Sequence, residues 1–173
     1  KGFLLDEDYK YVLGDSSLKV KSFKSVDYIV TSPPYHNILR NKGKGLRKES
    51  NKGFRTGSRL GVDYYSEEDN DLGNFDNYDE FVKALKKIMR ECFKILNEKK
   101  YCSIVISDFT VDKKEVCVQA DIVKMMTSIG FEFVGTVILL QDNKPLYPFG
   151  YPYAYKINHQ HQNIINFRKP IKE

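Results

Sequence analysis

The sequence predicts an α/β fold: a mostly parallel sheet with helices on its faces and an antiparallel hairpin at its C-terminal end. Three observations predict it. Short, β-branched apolar runs alternate with segments of helical period. One long stretch, Phe81 to Leu96, repeats apolar residues at spacings of three and four. Two late strand candidates are joined by a segment rich in Pro and Tyr into which no helix fits.

At 173 residues the chain has the length of one domain, with a single core burying roughly two thirds of the surface of the unfolded chain. No internal repeat or second domain is visible, so residues 1–173 are read as one unit.

The elements follow in order. Residues 9–13 (YKYVL) are β-prone and run into the turn cluster Gly14-Asp15-Ser16-Ser17, the pattern of a short strand and its exit. Val26 to Thr31 (VDYIVT) is too short for a helix and rich in β-branched residues, hence a buried strand. Pro33 and Pro34 end it, because neither has an amide hydrogen for a ladder. Asp76 or Asn77 caps a long helix whose apolar face is Phe81, Ala84, Leu85, Ile88, Met89, Cys92, Phe93 and Leu96. After Asn97–Lys100 comes YCSIVISDF (101–109), a buried strand ending in Asp108. A shorter helix runs from about Val116 to Ser128 and stops at Gly130. FEFVGTVILLQ (131–141) and HQNIINFRK (161–169) then pair as antiparallel neighbours.

Between Tyr35 and Asn74 there is no sustained periodicity. This loop, at about 36–74, holds eight Lys or Arg residues between Arg40 and Arg59 against one acid, Glu49, within a chain of formal net charge +5. Such a block suits a polyanion partner, although a charge run is more often only a solvated loop. Cys92, Cys102 and Cys117 are odd in number and widely spaced, which fits a reducing compartment and no metal site. No stretch is apolar for long enough to span a membrane, and a secretory signal is not evident, so the expected location is cytoplasmic.

The residues Ser32-Pro33-Pro34-Tyr35 stand at the carboxyl end of a predicted strand, where ligands gather in open α/β sheets. A Pro-Pro unit holds its carbonyls in fixed directions; Ser32 adds an acceptor and Tyr35 a flat apolar face. Two acceptors beside a stacking surface suit an exocyclic amino group on a planar base. Its lone pair is delocalised into the ring. Capture of both N–H bonds by the Ser32 hydroxyl and the Pro33 carbonyl draws the nitrogen toward tetrahedral geometry and frees that pair for attack. The plainer reading is a Pro-Pro that only terminates a strand.

The stretch "TSPPY" resembles the catalytic motif of the DNA amino-methyltransferases, which methylate cytosine N4 or adenine N6 with S-adenosylmethionine. "GDSSLKVKSFKSVDYIVTSPPY", "NYDEFVKALKKIMRECFKILNEKKYCSIVISD", "GFEFVGTVILLQ" and "HQNIINFRKP" are similar to further segments of that family, so the likeness covers most of the chain apart from the basic loop. It implies a Rossmann-like S-adenosylmethionine-dependent methyltransferase fold, with Ser32, Pro33, Pro34 and Tyr35 as the catalytic motif. Asp15, Ser32 and Asp108 are the implied cofactor contacts, against plainer roles for Asp15 as a turn residue and Asp108 as a helix cap.

The implied partner is DNA, with the target base extruded from the duplex and stacked on Tyr35. Asn37 and His36 follow the motif as candidate substrate contacts, with an incidental role as the plainer reading of the histidine, and Arg40, Lys42, Lys44, Arg47, Lys48, Lys52, Arg55 and Arg59 would meet phosphates. His159 and His161 are read as structural. Serine at the first motif position leans toward cytosine N4, in a restriction-modification or related system.

The family's Asp-Pro-Phe lead and Gly-x-Gly turn do not occur in these residues, and Gly43-Lys44-Gly45 neither follows a strand nor opens a helix. The expectation is therefore an incomplete fold, a partial catalytic domain that is a fragment, a truncated product or one half of a split enzyme, the last with its glycine-rich cofactor motif on a second polypeptide segment. Two other readings stay open: a non-catalytic nucleic-acid-binding remnant of the fold, and an amino-methyltransferase acting on RNA or on a protein glutamine, the last disfavoured by the basic block.

Overall fold

A computed structural model of the chain describes residues 10–36, 66, 68–112, 114–142 and 159–171. Their main sheet has four strands in the order β1-β2-β6-β5: β1 (Val26–Thr31), β2 (Leu96–Ile106), β6 (His161–Arg168) and β5 (Glu132–Leu140). A separate two-stranded hairpin, β3 (Phe109–Val111) with β4 (Lys114–Val116), follows β2. Three α-helices and two 3-10 turns complete the described elements: α1 (Ser16–Lys19), continued by a 3-10 turn over Val20–Ser22, a 3-10 turn at Leu72–Asn74, α2 (Tyr78–Ile95) and α3 (Val118–Thr127).

The sheet corrects the expectation of mostly parallel pairing. Only β1 and β2 pair in parallel; β2–β6 and β6–β5 are both antiparallel. The cause is the site of insertion of β6. The reversed strand enters between β2 and β5 and converts what would be one parallel contact into two antiparallel ones. β1, β2 and β5 still run in the same direction, so their carboxyl ends lie at one end of the sheet, beside the amino end of β6. The predicted C-terminal hairpin is present, with Leu140 opposite His161 at the end nearest the connection between its strands.

Residues 10–13 form no strand, contrary to expectation, and Leu13 is 96% exposed. A strand is stable only as part of a ladder, and no described strand lies beside this segment. The turn cluster after it is instead the start of α1: Asp15 accepts a hydrogen bond from the Ser17 amide at 2.8 Å. β2 also differs from its predicted bounds. It begins at Leu96, bulges through Asn97–Lys100 with Lys99 at φ 63°, and ends at Ile106, leaving Asp108 in the turn beyond it.

Helix α2 forms where its periodicity predicts. Asn77 is the cap, its side-chain oxygen accepting from the Asp79 and Glu80 amides at 2.8 and 3.2 Å, and those two acids sit where the helix dipole favours them. At the other end, Lys169 donates to the carbonyls of Phe93 (2.7 Å) and Leu96 (2.6 Å). These are carbonyls the helix terminus leaves without an intrahelical partner. The same ammonium lies 4.9 Å above the Phe93 ring.

Phe81, Leu85, Met89 and Cys92 from α2, and Val118, Ile122, Met125 and Met126 from α3, pack on Cys102, Ile104 and Ile106 of β2 and Ile165 and Phe167 of β6. Register places those strand residues on one face. Each such side chain stabilises the fold by about 1.5–3 kcal/mol when fully buried. Gly130, at φ 120°, ends α3 in a conformation that favours glycine.

The opposite face of the sheet has a different character. Tyr28 donates to Ser103 at 2.7 Å, Ser103 to Asn166 at 2.6 Å, and Asn166 to the Ile164 carbonyl at 3.1 Å, a hydrogen-bonded chain across β1, β2 and β6. The Ser103 hydrogen is committed to Asn166, which makes Tyr28 the donor of the first bond. Around the chain, Tyr28, Val30, Tyr101 and Val137 are exposed.

All three cysteines are free. Burial pushes the Cys92 thiol up to about 11 and the Cys102 thiol up to about 12, whereas Cys117 is exposed. Both buried groups therefore stay protonated and sheltered near neutral pH, and only thiolates attack disulfide reagents. In the native chain at pH 8, an aromatic disulfide reagent should label Cys117 rapidly and the other two only on unfolding. Lys169→Met should lower stability by about 2 kcal/mol through the loss of charge-assisted bonds to buried carbonyls, read as a fall in the urea midpoint at constant slope.

Candidate active site

The ladder between β1 and β2 ends at the pair Thr31–Ile104, and Ser32 lies immediately beyond it. Ser32 is exposed, Pro33 is buried, and Pro34 and Tyr35 are half-buried. The His36 amide donates to the Pro34 carbonyl at 3.1 Å, which closes a tight turn. His36 itself takes φ 32°. Of the two proline carbonyls, that of Pro34 thus serves the turn, and the acceptor role expected of the motif falls to Pro33.

Tyr35 is held from two sides. Its ring lies 5.9 Å from that of Phe109 at an interplanar angle of 50°, and its hydroxyl accepts a hydrogen bond from the side-chain amide of Gln162. Phe109 opens β3, directly after β2, and Gln162 is the second residue of β6. Both arrive at the motif because the β2 exit and the β6 entry share one end of the sheet. The Ser107 hydroxyl donates to the His161 carbonyl at 2.9 Å and joins these two chain segments directly.

His36 is not directed at an opening. It is 1% exposed and its ring meets Tyr78 and Phe81 edge-on at 5.8 and 5.6 Å. Of its two readings, substrate contact and incidental residue, the burial favours the second, with a place in the aromatic wall of the core. Tyr78 stacks on Phe81 and donates its hydroxyl to Asp121 at 2.9 Å. Burial, the Asp121 bond and the charges of Asp121, Asp108 and Asp79 hold that phenol protonated, well above its ordinary range. Tyr78 is therefore a donor and a wall, not a base.

The two carboxylates expected at the cofactor have other bonds. Asp15 accepts from Ser17 through one oxygen and from Asn70 through the other, at 2.8 Å in each case. The second bond ties the segment after the basic loop to the start of α1. Asp108 accepts from the Gln119 amide at 3.1 Å in the first turn of α3, and the Gln119 side chain donates to Thr136 on β5 at 2.9 Å. Each carboxylate oxygen has two lone pairs, so these bonds leave acceptor capacity at both residues. Asp108 shares the end of the sheet with Ser32 and Tyr35.

His159 pairs with Glu115 at 2.7 Å, a carboxylate partner the sequence did not suggest. Asn37, Arg40, Lys42, Lys44, Arg47, Lys48, Lys52, Arg55 and Arg59 lie outside the described residues. So does most of the loop at 36–74, but its final turn is ordered by side chains. Asp71 accepts from Ser66 at 2.7 Å and Gly73 at 2.8 Å, and Asn74 donates to the carbonyls of Ser66 and Glu68 at 2.8 Å. Among the described residues no His, Cys, Asp or Glu cluster could hold a metal, and no helix is long and apolar enough to cross a membrane.

Sequence reasoning missed Gln162, Phe109 and Asn70. Gln162 carried a usable signal: the polar cluster HQN opens a strand predicted to run antiparallel, and so starts at the end of the sheet where the proline motif lies. Phe109 was counted with the apolar run of the strand ending in Asp108, and Asn70 carried no signal.

Comparison with known proteins bears on this geometry. The structure is similar to a candidate DNA modification methylase of Thermus thermophilus, solved in a selenomethionine form (21% identity, TM-score 0.58, covering 92% of this chain and 52% of that one). A second form gives 22% identity and TM-score 0.59 over 93% and 54%. A complex of that protein with S-adenosyl-L-methionine gives 22% and 0.57 over 93% and 55%. At such identity the likeness is one of fold, and the chain spans about half the length of these structures. A search of curated proteins finds no match. The family model described as DNA methylase matches residues 26–173, from the first residue of β1 through the proline motif, both helices and the hairpin, and the chain therefore belongs to the DNA methylase family.

Proposed function

We propose that this chain is the catalytic-motif part of an S-adenosylmethionine-dependent DNA amino-methyltransferase that methylates the exocyclic amine of an extruded base, with cytosine N4 preferred over adenine N6. The observation that supports this reading is the placement of Ser32-Pro33-Pro34-Tyr35 at the end of β1, with Tyr35 fixed between Phe109 and Gln162.

The residues act on the substrate amine as follows. Ser32 and the Pro33 carbonyl accept its two N–H bonds and turn its lone pair out of conjugation with the ring. Tyr35 stacks on the base and fixes the direction of that pair. With the donor bound, the N–C bond would form as the donor's S–C bond breaks, the sulfur keeping that electron pair, and the cationic nitrogen would then release one proton to water. The donor supplies a methyl group made electrophilic by its sulfonium sulfur. Asp15 and Asp108, which keep acceptor capacity beside their structural bonds, fit its amino and hydroxyl groups. A glycine-rich turn for its remaining portion is absent from the sequence, and the reading assigns that turn to a second polypeptide segment.

That segment has a surface to meet. Among the described residues β1 is an edge strand, and the sheet face away from α2 and α3 exposes Tyr28 (56%) and Val30 (63%). The half-length match to the solved structures is consistent with it. The basic loop would neutralise DNA phosphates with little dependence on sequence. The setting is a restriction-modification or related modification system in the cytoplasm. A second reading, a nucleic-acid-binding remnant without catalysis, is favoured by the missing glycine motif; an RNA substrate is a variant of the first.

Calorimetric titration of S-adenosylmethionine separates the two main readings. Into the chain alone it should give no measurable heat of binding, and into the chain joined to a glycine-motif segment it should give saturable binding. No binding in either case favours the remnant. In the active protein, Ser32→Ala and Tyr35→Ala should each lower turnover by about 10²-fold or more with DNA affinity nearly intact. Equal losses in rate and binding would count against the roles given to them.

A further inference from the structure

We infer that Gln162 is a positioning residue for methyl transfer, acting through the Tyr35 hydroxyl; this rests on the proposed reading of the site. A stacking platform works only if its ring is held in one orientation before the base arrives. Otherwise part of the stacking free energy, about 1–3 kcal/mol per base, is spent on ordering the ring. Phe109 touches the Tyr35 ring at a tilted 5.9 Å, which limits its sideways movement but leaves rotation about the Cβ–Cγ axis and swing about Cα–Cβ.

The hydroxyl is the ring atom farthest from the backbone, so a bond there resists swing most strongly. Gln162 supplies it from β6, a different strand from the one that leads into the motif. Strand pairing fixes the donor: the backbone of Gln162 lies opposite Leu139, one pair from the connected end of the hairpin, and the adjacent His161 carbonyl is held by Ser107. Gln162 is half-buried and so is Tyr35, which strengthens the bond relative to one in water. A structural tie alone could have used any contact to the ring; a bond at the para oxygen fixes where the far end of the ring lies.

The test uses kinetics and a readout independent of activity. In the full protein, Gln162→Leu, close in shape and without donors, should lower kcat about tenfold with the KM for DNA changed by less than about twofold. Gln162→Glu should recover most of the rate, because the Tyr35 O–H can donate to the carboxylate with the bond reversed. In a Tyr35→Phe background, Gln162→Leu should add no further loss, as expected when two groups act through one bond. The 13C resonance of the Tyr35 Cζ, which reports hydrogen bonding at the phenol oxygen, should move in Gln162→Leu and return toward its original position in Gln162→Glu.

Undiminished kcat in Gln162→Leu, or a loss that adds fully to that of Tyr35→Phe, overturns the inference. So does a Cζ resonance that does not move. If the unsubstituted protein transfers no methyl group, the proposed function fails, and the resonance then decides by itself whether Gln162 positions Tyr35.

Discussion

Pro33 and Pro34 have no amide hydrogen, and the local arrangement at the candidate site depends on that deficit. A ladder cannot continue through two consecutive residues that do not donate, so β1 stops at Thr31. The chain must leave the sheet at its end, with Ser32 outside the last pair. The turn that follows is closed by the His36 amide on the Pro34 carbonyl, and His36 can turn there because its ring is received by Tyr78 and Phe81. Termination of a strand and presentation of a functional group are therefore one event. The bland account of a Pro-Pro unit and the chemical account do not compete, since the first creates the geometry the second uses.

The second constraint is the reversed strand. β6 lies between β2 and β5 and runs against both, so its polar amino end, His161 and Gln162, falls where the other strands have their carboxyl ends. A parallel strand in the same place would put Arg168 at that end and carry Gln162 to the other. Insertion of β6 lowers the number of parallel pairs in the sheet and delivers a side-chain donor to Tyr35. The bulge in β5 between Phe133 and Gly135, with Gly135 at φ 126°, absorbs the mismatch in register that this pairing leaves.

The features that sequence reasoning captured are those set by local periodicity. The apolar stripe of α2 repeats every three to four residues, and Phe81, Leu85, Met89 and Cys92 are buried accordingly. Asn77 caps it because its side chain reaches the amides two and three residues on. Gly130 ends α3 for an equally local reason. What sequence reasoning missed depends on partners far along the chain. Residues 10–13 have β propensity, yet propensity forms no strand without a neighbour to pair with. The order β2-β6-β5 is a matter of which strand inserts where, and the pattern HQNIINF is compatible with an edge or a centre. The hairpin of β3 and β4 was hidden because Phe109 completes an apolar run whose ladder ends three residues earlier, at Ile106. At the site, the motif itself was legible, because proline and tyrosine state their constraints in sequence. Gln162, 127 residues away from Tyr35, does not.

The two faces of the sheet differ in how they are satisfied, and this bears on how such a site is held. One face is closed by α2 and α3 with buried aliphatic and aromatic side chains. On the other, Tyr28, Ser103 and Asn166 share hydrogen bonds across three strands, and Ser103 is 1% exposed. That chain keeps β1 in register with β2 where apolar packing is thin, and register is what sets the residue at which the ladder ends. A one-residue slip of β1 would turn Ile29 out of the core and shift Ser32 relative to Gln162 and Phe109. The polar chain on the open face and the core on the closed face therefore fix the same quantity. They hold the position along the sheet at which the prolines begin, with or without a further layer on the open side.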